Sequence, residues 1–407
     1  MDGNCPIRYN EAVRHQIFLI PGFFGFADLG DVLYFAHVVD FLPSACAALG
    51  LEVDLYCVPT LPTASVRRRA ERLLECVAAN SGDGPIHLVG HSSGGLDARL
   101  LVTPGASLRS EIDLESIASR VQTVTTVASP HNGTPVASFF NSLFGQQLLR
   151  LLSIGTVYVL RFGRLPTSVL IKMGAILARL DNLVGWRNNV LDQLYAQLLE
   201  DFSPDRRHAV ERFVAEMGAD QALLPQLTPE GIDVFNAATG DRPEVRYGSV
   251  ISYARPPGVL SAVRVGLDPY GQATHGLFAG LYSLATRMPQ QSVPGLTDRQ
   301  MEVLFTVYGI VPKASANDGV VPTLSQIWGE IVHATRADHL DLLGHFGDTR
   351  HDPPHYDWLS SGSGFGRAEF EALWTDVARF IDGRQGQVKH TARSRSRHLL
   401  HLFTRKG

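Results

Sequence analysis

The stretch over 85–95, Pro-Ile-His-Leu-Val-Gly-His-Ser-Ser-Gly-Gly, constrains this chain more than any other. It opens as an apolar, strand-forming run, turns on glycines and passes into a helix-forming stretch over 96–101. Within it lies G-x-S-x-G, as Gly90-His91-Ser92-Ser93-Gly94. The spacing has a steric reason. A serine on a tight strand-to-helix turn projects its hydroxyl above the sheet, and the residues two before and two after it must be small to clear the neighbouring strand and helix. The helix that follows aims its N-terminus at the site, which favours a developing negative charge. Ser92 is the candidate nucleophile, and the backbone N–H of Ser93 is a candidate oxyanion donor. A plain glycine-rich turn is the bland alternative; the readable strand and helix on either side favour the nucleophile.

The rest of the chain has the rhythm of an α/β protein. A strand over 15–20 runs into Pro21-Gly22-Phe23-Phe24-Gly25-Phe26. A glycine-rich loop after an early strand is where such a site takes its second oxyanion donor, here the N–H of Phe23. The alternative is a β-turn with exposed aromatics. A helix over 36–49, with Pro43 inside it, precedes a strand over 52–58 and a helix over 65–79. Arg67, Arg68 and Arg69 read as the solvated outer face of that helix. The β-branched run over 121–127 is the next strand and ends in Ala128-Ser129-Pro130-His131-Asn132-Gly133-Thr134-Pro135. This alternation implies a mostly parallel sheet covered by helices on both faces. Ligands bind at the carboxyl ends of such strands, so the loops at Gly22, Ser92 and His131 share that edge.

The rhythm breaks over 139–199, which is helical by pattern and too apolar for one-faced surface helices. It is either a lid with an apolar underside for an acyl chain or an ordinary helical subdomain. A helix over 209–217 follows, then a helix start at Thr228-Pro229, a strand over 245–254, a helix over 298–307 and a last strand over 327–333.

Composition sets the outer bounds. With 407 residues, 45% of them hydrophobic, the chain can bury a large core, and its net charge of −4 argues against nucleic acid as a partner. Residues 1–11 lack a basic start and an apolar run, and the first such run, 16–20, is too short for a signal-peptide core. The longest apolar region, 148–183, is interrupted by Arg150, Arg161, Arg164, Lys172 and Arg179, so no membrane span is expected. Cys5, Cys46, Cys57 and Cys76 show no metal-type spacing and read as buried free thiols. A cytoplasmic protein, or one exported by a non-classical route, is the expectation. Beyond Asp382 the charged residues are all basic. That tail reads as a solvated, disordered segment or as a weak contact with an anionic membrane surface.

A serine hydroxyl needs a histidine to take its proton and a carboxylate to orient that histidine. In this architecture the chain order is serine, acid, histidine. Asp318, in the turn Asn317-Asp318-Gly319, is the candidate acid, with a simple turn aspartate as the alternative. His339, in Asp338-His339-Leu340-Asp341, is the candidate base; spacing alone leaves His333, His345, His351 and His355 as rivals. A metal site from His345, His351 and His355 is a further reading, without diagnostic spacing.

Taken together, these pieces resemble the bacterial triacylglycerol lipases of the pseudomonad type. The matching stretches are 21–26, 90–99, 129–135, 317–322 and 338–341, in the family's order. The resemblance implies an α/β-hydrolase with a helical lid that hydrolyses carboxylic esters through an acyl-serine. It implies a triad of Ser92, Asp318 and His339, which separates His339 from its rivals. It also implies a structural calcium near the histidine, held by two aspartates and two backbone carbonyls. Asp341 stands at one matching position and Asp298 is the looser match for the other. The chemistry itself requires no cofactor. The chain departs from the family after Asp341, where the usual Asn-Gln pair is replaced by Gly344-His345, and in the absent signal peptide.

The expected organisation is a first part of the hydrolase core over 1–138, a helical lid insertion over 139–240, a second core part over 241–383 and the basic tail over 384–407. The expected partner is a lipid or other acyl ester. The alternatives are an acyltransferase or polyester depolymerase with the same triad, or a non-catalytic lipid-binding or scaffold protein.

Overall fold

The computed structural model describes residues 14–23, 34–177, 189–347, 357 and 359–383. The basic tail, Cys5, Phe24 to Phe26, Arg179, His351 and His355 lie outside the described residues. Six strands form one sheet: β1 (His15–Ile20), β2 (Val53–Cys57), β3 (Ile86–His91), β4 (Val121–Val127), β5 (Arg246–Ser252) and β6 (Glu330–Thr335). Their order is β2-β1-β3-β4-β5-β6, and every pairing is parallel. Parallel neighbours require crossovers, and the intervening helices supply them.

The two-residue period of a strand decides which helices cover which face. Ile17 and Leu19 of β1 point to one side, where they meet Val38 and Leu42 of the helix Ala36–Ala47. Leu373, Trp374 and Val377 of the helix Arg367–Asp382 pack on that side too. Phe18 and Ile20 point to the other side, against Leu73, Leu74 and Val77 of the helix Val66–Asn80 and Leu101 of the helix Gly94–Val102. A sheet covered on both faces explains the uninterrupted apolar run over Ile17, Phe18, Leu19 and Ile20 in β1.

The strands over 15–20 and 121–127 form with the expected bounds. The last strand does not. The expected span 327–333 is displaced to Glu330–Thr335, because Ile327 closes the short 3-10 helix Thr323–Gln326 and is buried in a separate apolar cluster. Gly329 then turns the chain at φ +68° into the strand.

The insertion between β4 and β5 is helical, with Leu143–Phe162, Thr167–Leu177, Asn189–Glu200 and Pro204–Ala219 as its main helices. Its core is shared with Leu277, Phe278 and Leu281 of the helix Pro269–Ala285, which follows β5. The helical layer is thus fed by two segments, 139–240 and part of 241–383. Phe23, Leu96 and Leu340 belong to the same apolar cluster, so this layer reaches down to the carboxyl edge of the sheet. No helix among the described residues is long and apolar enough to cross a membrane. Cys46, Cys57 and Cys76 are free thiols, Cys46 fully buried and the other two half-buried.

The arginine face of Val66–Asn80 needs a correction. Arg67 and Arg68 are exposed, but Arg69 is fully buried beside Val66, Ala70 and Leu73. Its guanidinium meets the buried carboxylate of Asp97 at 2.7 Å and donates to Pro21 O at 2.7 Å and Leu61 O at 2.9 Å. Burial pushes the Asp97 carboxyl up to about 6 even beside Arg69, so the pair is charged at neutral pH against a desolvation cost. Removing one member strands the other. Asp97→Ala should therefore lower the unfolding free energy by about 3–5 kcal/mol, read as a shifted midpoint in denaturant unfolding. An unshifted midpoint would show that water reaches Arg69.

Candidate active site

β3 ends at His91, and the helix Gly94–Val102 begins three residues later. Ser92 lies in the bend at φ +53°, in the left-handed region that L side chains avoid. Its N–H donates to Val127 O at 2.8 Å, which pins the bend to β4. The bend closes because side chains are missing around it. A Cβ on Gly90 would run into the backbone of Gly94 and Gly95, and one on Gly94 into the backbone of Ile20 and Pro21. One on Gly22 would come within 2.6 Å of Ser92 Cβ. The glycines of G-x-S-x-G and Gly22 are therefore one steric requirement. Ser93 follows in helical geometry and opens the helix, and Phe23 lies buried against the same edge.

The candidate acid is built by a turn. Asn317 Oδ1 accepts from Gly319 N at 2.8 Å, Gly319 sits at φ +98°, and an isolated bridge pairs Asn317 with Pro322. Asp318 Oδ1 accepts the N–H groups of Val320 at 2.9 Å and Val321 at 2.7 Å. Its Oδ2 accepts from Ser252 Oγ at 2.9 Å and Gln326 Nε2 at 3.0 Å, and lies 2.8 Å from His339 Nδ1. Surrounded by donors, the fully buried carboxylate acts only as an acceptor, so Nδ1 of His339 carries the proton shared between them. The backbone repeats the link, with His339 N donating to Asp318 O at 3.0 Å.

His91 joins the candidate base to the bend. Its ring centroid is 4.6 Å from that of His339, and its Nε2 lies 3.1 Å from His339 O. A carbonyl only accepts, so Nε2 carries the proton and Nδ1 accepts from the Tyr34 hydroxyl at 2.6 Å. Tyr34 in turn accepts from Gly22 N at 3.3 Å. Burial, and then the neighbouring His339, hold His91 well below the ordinary imidazole range, so it is a neutral strut. The chain Gly22–Tyr34–His91–His339 spans the loops after β1, β3 and β6.

Ser92, Asp318 and His339 thus converge on one edge, as do Phe23 and Ser93. The rival His333 lies on β6, with Nδ1 2.9 Å from Asp376 Oδ2 of the helix Arg367–Asp382. His345 N donates to Leu340 O at 3.3 Å. Sequence reasoning missed Tyr34, Ser252 and Gln326, which lie outside the motifs, and passed over His91, which lies within one.

The candidate metal ligands divide. Asp341 is buried near His339, but Asp298 stands exposed in the first turn of the helix Asp298–Tyr308 and has no part in the same cluster. The residues grouped with Asp341 are Asp338 and Asp357, whose carboxylate oxygens lie within 4.8 Å of one another. Asp338 Oδ1 accepts from Leu340 N at 3.2 Å and Asp341 N at 3.1 Å, while Asp338 Oδ2 is buried with no hydrogen-bond partner. Asp341 Oδ2 accepts from Asp338 N at 3.0 Å and Ser363 Oγ at 3.1 Å. Burial raises all three carboxyls above their ordinary range, and the neighbouring carboxylates raise Asp341 and Asp357 further.

No family model matches the sequence. The structure is similar to EstA from Clostridium botulinum, with a TM-score of 0.50 and 18% identity, covering 90% of this chain and 87% of that one. The fold is that of the α/β-hydrolases. Staphylococcus hyicus lipase is also similar, with a TM-score of 0.46 and 15% identity over 93% of this chain and 98% of that one. So is a metagenomic carboxyl esterase, with a TM-score of 0.46 and 15% identity over 92% and 76%. These likenesses do not single out the pseudomonad-type lipases that the motifs resemble.

In this α/β-hydrolase fold the loop after β1 must approach the bend without a side chain at position 22. Gly22→Ala should displace that loop and lower any Ser92-dependent turnover by about 100-fold, the scale expected for roughly an ångström of misplacement. Steady-state kinetics beside a thermal melt check this; near-normal turnover would mean the loop is not part of the working site.

Proposed function

We propose that the protein is a carboxylic ester hydrolase acting on acyl-chain esters through an acyl-serine intermediate. The observation that carries this reading is Ser92 on its strained bend next to His91, whose ring lies 4.6 Å from that of His339, an imidazole whose Nδ1 lies 2.8 Å from Asp318 Oδ2. Ser92 Oγ attacks the ester carbonyl while His339 Nε2 takes its proton. Asp318 orients the imidazole and stabilises its positive charge. The N–H groups of Phe23 and Ser93 receive the oxyanion, each worth on the order of 3 kcal/mol. His339 then returns the proton to the leaving alcohol. A water activated by the same imidazole attacks the acyl-serine and releases the acid, restoring Ser92. The apolar layer that reaches Phe23, Leu96 and Leu340 supports an acyl chain as the bound group, and we read the helices over 139–240 as its lid.

Ser92→Ala should reduce hydrolysis of medium- and long-chain esters by about 10⁶-fold and abolish labelling by a fluorophosphonate. Labelling that survives the substitution would place the nucleophile elsewhere. No labelling of the unaltered chain would favour a scaffold that retains the fold. Transfer of the acyl group to added alcohols in preference to water would reassign the same triad to an acyltransferase.

We further propose that Asp338, Asp341 and Asp357 hold a calcium ion. Hard carboxylate oxygens suit it, and the unpartnered Asp338 Oδ2 is an acceptor that a cation would satisfy. Bound there, the ion would neutralise acids on both sides of His339 and fix its loop; it takes no part in the bond-making steps. Calcium at about 100 times its dissociation constant should add about 2.7 kcal/mol of stability. A thermal melt should rise with calcium, fall with a chelator and lose its response in Asp341→Asn. A melt indifferent to both additions would rule the site out.

A further inference from the structure

The segment that leaves β5 begins at the acid's own turn. Ser252 binds the Asp318 carboxylate, and Ala254 N donates to Asn317 O at 3.0 Å. The chain then runs out through Arg-Pro-Pro-Gly into the helix Val259–Val265 and on to Leu267. The helix is turned the wrong way round for a soluble surface. Its inward residue is the polar Ser261, whose Oγ lies 3.1 Å from His275 Nε2. Its outward residues are aliphatic: Val259 is 81% exposed, Leu260 78% and Val263 64%, and Leu267 just beyond is 92% exposed. A lone exposed leucine is ordinary, but several within nine residues form a patch of the kind that marks an interaction surface.

Within the segment the charges have one sign. Between 255 and 267 the only charged residues are Arg255 and Arg264, both exposed. Arg336 reaches in from the loop after β6, its guanidinium over the rings of Tyr253 and Tyr308. Partial burial, then the like charges of Arg264 and Arg336, hold Arg255 below its ordinary range. The first acid, Asp268, is occupied as a helix cap, accepting from Gly271 N at 2.9 Å. On a chain of net charge −4 this is a local island of arginine and aliphatic side chains. Exposed leucine and valine between cations match one partner, a surface with hydrocarbon beneath anionic headgroups.

We propose that the segment 255–267 is the surface by which this protein docks on an anionic lipid layer, beside the loop that carries the acid. Docking there would hold the carboxyl edge of the sheet against the source of acyl chains. The binding stands independently of catalysis; its benefit to turnover rests on the ester-hydrolase reading.

The test is co-sedimentation of the full chain with vesicles of phosphatidylcholine alone or mixed with phosphatidylglycerol. The unaltered chain should bind the mixed vesicles, less so in high salt, and leave the neutral ones in solution. Leu260→Ser with Leu267→Ser should weaken binding by about tenfold per leucine. Arg255→Gln with Arg264→Gln should weaken it by about fivefold per arginine. All variants keep the basic tail, so binding that survives in both overturns the proposal and moves the contact elsewhere. A dimer in solution that the leucine variants dissociate, without vesicle binding, also overturns it, because a second copy then covers the face. Melting temperatures should match the unaltered chain, as these side chains are exposed. Turnover of a water-soluble short-chain ester should stay unchanged in the variants while turnover of vesicle-borne ester falls with binding. Vesicle binding without turnover of any ester would leave the docking surface intact and defeat the hydrolase reading alone.

Discussion

Close backbone approach is the constraint on which the site depends. At one corner of the sheet, the ends of β1 and β3 and the start of the following helix occupy a space with no room for side chains at Gly22, Gly90 or Gly94. That crowding holds Ser92 at φ +53°, a conformation the residue would not adopt alone. The strain is tolerated because neighbours fix it on several sides: Val127 O on Ser92 N, and Arg69 on Pro21 O from below. The position of the Ser92 hydroxyl is thus a property of packing.

Around that corner the molecule uses buried charge sparingly and with different outcomes. Arg69 and Asp97 neutralise each other within the helix layer. Asp318 meets donors on every side, so its charge is spread over backbone and side-chain dipoles. Asp338, Asp341 and Asp357 bring three carboxyls together, and burial raises each above its ordinary range. His91 and His131 escape the problem by staying neutral under burial.

What could be read from the sequence follows from how local the cause is. Strand β1 was legible because its apolar run is continuous, and β4 because β-branched Val and Thr fill it. Thr228 and Pro229 mark a helix start by themselves, and Thr228 Oγ1 does accept from Gly231 N at 2.9 Å. The candidate triad residues were each visible in short motifs, although choosing His339 over its rivals needed the family resemblance. Arg69 was misread because three arginines in a row suggest solvent, yet its spacing from Val66, Ala70 and Leu73 places it on the buried stripe. Asp298 was misassigned because distance along the chain says nothing about proximity; its acidity instead suits the first turn of a helix, after the cap at Thr297. Asp357 could not be read at all, since only the folded chain brings it to the Asp338–Asp341 loop.

The contact between His91 and His339 joins residues 248 positions apart. Nearly all of the helical layer is threaded between them, and β6 must be seated before His339 can reach the bend. Such a long closure is slow, because its entropy is lost before the contacts that repay it can form. During synthesis the stretch bearing Ser92 emerges long before the stretch bearing His339. The bridge between the two imidazole-bearing loops is then among the last contacts the growing chain can make.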